Sequence, residues 1–241
     1  MAACPRNASA LEMLTDRLGK ARRGDEAAGL FERVLPELPR TSANAALLGQ
    51  RAWWQASRGD AAGAAATLEE AEGLAPGNVG LVLQRARLLV GGGEAPEAVR
   101  LLEEKVRELP GEVELHLLLA ETLLSTEPRR AQEAAQRAQP FAADASQRAR
   151  LLRVKATSGR MLGSPARAIE ALKSLVQLQP REAAPRYELA DLLWDAGRRT
   201  EARAWLEEGA GMDSPVQAAA ARAARAAWTR DESRDAASPT P

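Results

Sequence analysis

One imidazole, His116, and one thiol, Cys4, are all this chain holds of the side chains that most often bind metals or attack carbonyls. A single cysteine excludes an intramolecular disulfide. One Cys with one His excludes a metal cage built from those ligands. Gly91-Gly92-Gly93 is the densest glycine run. A phosphate-cradling loop needs a strand before it and Lys-Ser/Thr after it, and neither is present, so this run is a turn. Asp and Glu are plentiful, yet no pair stands apart from charged helix faces. No nucleophile, base and orienting group are brought together by spacing. The expectation is a chain that is not an enzyme, with no catalytic residue, cofactor site or metal site.

The bulk numbers narrow the partners. The 241 residues carry 33 basic and 33 acidic side chains, so the net charge is zero. A neutral chain has no long-range field to steer nucleic acid, which is therefore not an expected partner. Ala, Leu, Glu and Arg dominate, and aromatic residues are 3% of the chain. That composition favours helices over a large sheet. No apolar run approaches the roughly 18 residues of a membrane span. The start, Met1 to Arg6, has no positive region followed by an apolar stretch, so as written the chain reads as cytoplasmic.

The elements that position these residues repeat. From Gly59 to Pro110 the two halves superimpose with a shift of 34 residues: Gly59 on Gly93, Ala64 on Ala98, Leu68 on Leu102, Pro76 on Pro110. Ala52, Ala86 and Ala120 keep the interval, as do Ala156 and Ala190, Gly163 and Gly197, and Ala168 and Ala202. A fixed period of this length marks a helical repeat array. The rhythm slips once, since Ala120 to Ala156 is 36 residues. The turn Thr126-Glu127-Pro128 is about a residue short, and Gln139 to Asp144 interrupts the connection to the fifth pair.

This pattern sets the organisation of the chain. Residues 1–7 form a flexible leader, and residues 8–212 an array of about six helix pairs, beginning at a Ser9 cap. Ser214-Pro215 is a strong helix start, opening a capping helix over 213–230. Its inward stripe is expected to be Val216, Ala220, Ala224 and Trp228, with Arg222, Arg225 and Arg230 outward. The charged, Ser/Pro-containing tail 231–241 is expected to be disordered.

A helix–turn–helix unit of 34 residues resembles the tetratricopeptide repeat (TPR) superfamily. The second repeat carries the pattern as Leu48, Ala52, Gly59, Ala64, Leu68, Ala71 and Pro76. The third carries it as Val82, Ala86, Leu89, Gly93, Ala98, Leu102 and Pro110. Leu152, Ala156, Gly163, Ala168, Leu172 and Pro180 supply the fifth, and Leu189, Ala190, Leu193, Gly197, Ala202 and Leu206 the sixth. Arg51, Arg85 and Lys155 depart from it where Leu is usual in helix A, and Lys105 where helix B has Ala. The resemblance implies an all-α, right-handed α-solenoid that binds a protein or peptide on the concave face lined by helix A.

Carried onto this chain, that face holds Glu12 and Asp16, then Trp53, then Leu83, Arg87 and Val90. Leu117, Glu121 and Leu124 come next, then Arg150, Arg153 and Arg160, and last Tyr187, Asp191, Trp194 and Asp195. The middle is greasy. Two outcomes are open for its leucines, a groove or burial by neighbouring repeats. Two are also open for the basic fifth repeat: an acidic partner segment, or local pairing with Glu114, Glu121, Asp191 and Asp195. Some TPR proteins clamp chaperone tails with Lys and Asn, but Glu12 and Asp16 occupy those places, which disfavours that ligand. His116 falls where an apolar residue packs and is expected to be a packed histidine.

Ala2-Ala3-Cys4 resembles the end of a bacterial lipoprotein signal. Lipidation of Cys4 would place the chain on the periplasmic side of the outer membrane. The pilotin lipoproteins of type IV pili, with six TPR repeats and a lipidated N-terminal Cys, are similar in kind. The function classes are thus a scaffold or adaptor, an outer-membrane assembly factor of pilotin type, and a non-catalytic accessory subunit of an enzyme or regulatory complex.

Overall fold

The computed structural model describes residues 23–226 together with 11, 13–15, 17, 18 and 228. The leader 1–7, Cys4, Ser9, Glu12, Asp16, Arg230 and the tail 231–241 lie outside the described residues. Among those described there is no strand. Helical residues between 11 and 18 are followed by α1 (Gly24–Val34), α2 (Ala45–Ser57), α3 (Ala61–Leu74), α4 (Val79–Gly91) and α5 (Ala95–Glu108). Then come α6 (Val113–Leu123), α7 (Pro128–Ala138), α8 (Ala145–Met161), α9 (Pro165–Leu178), α10 (Ala184–Asp195), α11 (Arg199–Ala210) and α12 (Pro215–Ala224). The fold class is all-α, built from consecutive antiparallel helix pairs. Two compact units, residues 1–122 and 123–241, divide the chain.

Each unit has its own core. In the first, Phe31, Leu48, Leu68 and Leu81 gather around Ala45, Ala52, Ala64 and Ala71. In the second, Leu172, Leu175, Leu189 and Leu193 gather around Ala156, Ala168 and Ala202. Helix A meets helix B at the alanines. Ala52 with Ala64, Ala86 with Ala98, and Ala190 with Ala202 are buried to 1% exposure or less. A methyl group at both positions lets backbones approach, while the flanking leucines supply the apolar area. The approach is close between α8 and α9. A Cβ added at Gly159 would lie 3.2 Å from the backbone nitrogen of Ala168 and 3.3 Å from its methyl group.

The turns inside the pairs are copies of one device. Gly59, Gly93, Gly163 and Gly197 have φ between 65° and 85°, a region that costs other residues strain. Beside each, an N–H reaches back five residues: Asp60 to Gln55, Glu94 to Leu89, Ser164 to Gly159 and Arg198 to Leu193, at 2.8–2.9 Å. This left-handed closure satisfies carbonyls that the helix end would orphan. Side-chain caps secure several starts. The Asp60 carboxylate accepts from Gly63 N–H at 2.9 Å, the Asp144 carboxylate accepts from Gln147 N–H at 2.8 Å, and Ser214 and Gln217 form a capping box.

The irregular fourth repeat resolves into two changes. Ala120 to Ala131 spans 11 residues where Ala86 to Ala98 spans 12. Ala131 to Ala156 spans 25 where Ala98 to Ala120 spans 22. The surplus is the single 3-10 turn Gln139–Phe141. Another such turn, Leu35–Glu37, replaces the end of the first helix B at Pro36, whose ring forbids further α-helix.

Three of the four departures from the repeat pattern have partners. Arg85 pairs with Glu72 of the preceding helix B at 2.8 Å, and Lys155 donates to Gln139 Oε1 at 2.5 Å. Lys105 pairs with Glu108 at 2.8 Å. Each long side chain covers apolar ground with its stem and sends its charge to the rim.

Gly159→Ala is expected to destabilise the protein by about 1–3 kcal/mol through overpacking. Gly73→Ala, near the end of α3 with open space around it, should stabilise it by about 0.5–1 kcal/mol through helix propensity. Urea denaturation followed by circular dichroism measures both. Equal shifts of the midpoint would contradict the close contact at Gly159.

Candidate functional site

The helix A face divides by burial. In the first unit Trp53 is 57% exposed on α2, its ring edge-on to Trp54 with centroids 4.5 Å apart. Arg87 and Val90 on α4 are exposed as well. Leu83, at 8% exposure, and Leu117, at 0%, are core residues. The expected greasy groove therefore loses these two leucines. Helical spacing placed them on the right face, but neighbouring packing takes their whole side chains. Glu121 is half-buried at the end of the unit. His116 is 3% exposed, and its Nε2–H donates to the Pro110 carbonyl at 3.0 Å. It packs as a core histidine.

In the second unit, Leu124 is half-buried. Arg150 is half-buried on α8, and Arg153 and Arg160 are exposed. Across its 17 residues α8 has no carboxylate. Burial alone pushes the Lys155 ammonium below the ordinary lysine range. Arg153 and Arg160 form no ion pair with a described residue.

Tyr187, Asp191 and Trp194 on α10 are brought together by the last helix. Arg225 grips Asp191 through two charge-assisted bonds, Nε to Oδ1 at 2.7 Å and Nη2 to Oδ2 at 2.6 Å. Its guanidinium lies 5.0 Å from the centre of the Tyr187 ring. Trp228 stacks on Trp194 with centroids 4.4 Å apart and planes 5° apart. Arg222 pairs with Glu207. The Tyr187 hydroxyl donates to Asp213 Oδ2 at 2.7 Å. The ring also fills the space a Cβ at Gly209 would need, 2.8 Å away.

This arrangement corrects the expected cap. Val216 is 80% exposed and Ala220 is exposed too, whereas the Arg225 side chain keeps 12% of its surface. A bidentate ion pair over an aromatic ring takes this side in place of Val216 and Ala220. The regular α-helix runs over Pro215–Ala224. Past Ala224 the bonds tighten to the 3-10 type, Ala226 N–H to Ala223 and Trp228 N–H to Arg225.

The sequence reading placed Trp228 inward and Arg225 outward in the cap but missed their pairing with α10, and it did not single out Asp213 or Arg181. The signal for the first two was the period itself. Arg225 lies 34 residues after Asp191, and Trp228 lies 34 after Trp194. The cap is thus the first helix of a seventh repeat.

Among the described residues, no group of three or more His, Cys, Asp or Glu is placed to hold a metal ion. No described helix is long and apolar enough to cross a membrane. Paired helices, left-handed glycine turns and buried alanines in register define the class, a helical repeat scaffold.

Known proteins with similar sequence or fold are of one kind. Residues 160–228 match a tetratricopeptide repeat family model. A tetratricopeptide repeat protein from Parabacteroides merdae superimposes with a TM-score of 0.67 at 18% identity, over 86% of this chain and 80% of that one. MamA from Desulfovibrio magneticus does so with 0.59 at 18% identity, over 70% and 94%. PilF from Pseudomonas aeruginosa gives 0.62 at 16% identity, over 70% and 77%. No curated protein matches the sequence. The match covers residues 160–228 as tetratricopeptide repeat, and the likeness to these structures extends the repeat fold over most of the chain.

Tyr187 is the chain's one tyrosine, so its titration can be followed by tyrosinate absorbance. Burial first, then the bond to Asp213, pushes its phenol up to about 12 from the usual 10. The folded state holds this proton more tightly than the unfolded chain does. The stabilisation is therefore complete below about pH 10 and is lost as pH rises towards about 12. Asp213→Ala should bring the midpoint down towards 10, and an unchanged midpoint would remove Asp213 from the cause.

Proposed function

We propose that this chain is a non-catalytic scaffold that binds a peptide or protein segment on the helix A face that the family resemblance makes concave. The observation that carries this reading is Trp53. It is a tryptophan more than half exposed, on that face, with its orientation held by Trp54. Tryptophan offers a large apolar surface at small entropic cost and dominates interface energetics where it is buried by a partner. Exposed Arg87 and Val90 on the next helix A continue the surface. Catalysis, where the scaffold serves an enzyme, belongs to the partner.

Affinity purification after cross-linking, from the native cell, tests this. Trp53→Ala should lower capture of a partner by roughly thirtyfold, the loss of an anchor worth about 2 kcal/mol, with the helical circular dichroism kept. Equal capture by the wild type and the variant would move the contact off this face.

A second reading is an outer-membrane lipoprotein assembly factor of the type IV pilus. It is favoured by Ala2-Ala3-Cys4 and is compatible with the likeness in fold to PilF. Metabolic labelling of the native gene product with a fatty-acid analogue separates the two. Label that is lost on Cys4→Ser places the scaffold at a membrane, and no label removes the anchor.

A further inference from the structure

The basic surface of the second unit lies at a groove. Its lining comes from the first turns of α8, with Ser146, Arg150 and Arg153, and from the segment Leu178 to Glu182 that leads into α10. The groove encloses about 570 Å³, within the range of ligand sites. Arg150, Arg153 and Arg181 bring three guanidinium groups to it. Glu182 also lines it, and its Oε1 accepts from Gln179 Nε2 at 3.1 Å. Neither Arg153 nor Arg181 forms an ion pair with a described residue. Ala145, Ala149, Leu178 and Pro180 add an apolar floor.

Two observations set the sign of the occupant. First, α8 has no acidic residue of its own to neutralise its arginines. Second, Asp191, a carboxylate of the next helix A, is engaged by both nitrogens of Arg225. Asp191, one of the four local carboxylates open from the sequence, is thereby engaged elsewhere, while Arg150, Glu114 and Glu121 have partners of their own. Arg150, Arg153 and Arg160 fall on one side of α8 and span ten residues, about 15 Å of helix axis at about 1.5 Å per residue. An extended strand covers that distance in about five residues.

We propose that this groove receives an extended, acidic segment of a partner protein, with apolar residues between its carboxylates. The inference rests on the scaffold reading and names the chemistry of one of its ligands. Arginine forks take carboxylates in two-bond geometry, and the apolar floor takes the side chains between them. The acidic strand lies along α8, with its carboxylates towards Arg153 and Arg181.

Fluorescence anisotropy with the full chain tests it. The probe is a fluorescein-labelled decapeptide of Glu, Asp and Leu, compared with the same peptide carrying Gln and Asn for its acids. The acidic peptide should bind and the neutral one should bind at least about tenfold more weakly. The difference should vanish at about 1 M salt, where the screening length falls to about 3 Å. The double variant Arg153→Glu, Arg181→Glu alters two exposed residues and should also lose about tenfold. No binding of the acidic peptide, equal binding of both peptides, or binding unchanged in the variant overturns the proposal. So does tighter binding of a labelled ten-base single-stranded DNA, which would make the surface one for nucleic acid. None of these results touches partner capture through Trp53, so the scaffold reading stands or falls on its own experiment.

Discussion

Everything in this architecture depends on helices A and B of a pair meeting where neither has a side chain longer than a methyl group. Ala52 and Ala64, Ala86 and Ala98, and Ala190 and Ala202 are buried almost completely. In the fifth pair Ala168 also lies against Gly159, three residues beyond Ala156. Backbones this close leave no slack in the connection between them. The turn must therefore have one length and one geometry, and a glycine of positive φ supplies both. The leucines beside the alanines are placed by that contact. Their burial supplies most of the stability, but the alanines determine which leucines face one another.

The same constraint explains where polar residues can enter. Arg85 and Lys155 replace leucines in helix A and still send their charges to Glu72 and Gln139. They lie at the junction with the preceding repeat, where a long stem can reach the rim. No charged residue replaces an alanine at the A–B contact in the helix pairs of either core. In the fourth repeat the connection is one residue short, and a 3-10 turn lengthens the next junction. The period is therefore elastic between repeats and stiff within them.

That division determines how much of the structure is legible in the sequence. The alanines, turn glycines and terminal prolines recur in phase, so fold class and helix pairs can be read from the chain alone. The helix A face is legible too, because a periodic array assigns each residue to a side. Depth is not. Leu83 and Val90 share a face and lie two turns apart, yet one is core and the other is surface. Spacing cannot distinguish them, since burial depends on the neighbouring helix and its side chains. The cap departs from expectation for a related reason. An alanine-rich stripe looks inward-facing until a guanidinium with a carboxylate and a phenol ring in reach takes that side instead. Extending the 34-residue phase to Arg225 and Trp228 would have predicted the pairing with Asp191 and Trp194.

Likeness to other repeat structures at 16–18% identity carries the fold and leaves the partner open. The residues that make the fold are small and buried. The exposed residues of the helix A face are not fixed by that packing. In the first unit that side offers Trp53, Arg87 and Val90, an apolar surface with one charge. In the second it offers arginines on α8 and then an ion pair and ring stacks where the seventh helix A has docked. A chain with zero net charge thus has a local field wherever acidic residues are absent or engaged. Arg225 engages Asp191 through both nitrogens, whereas α8 carries its arginines without a carboxylate of its own.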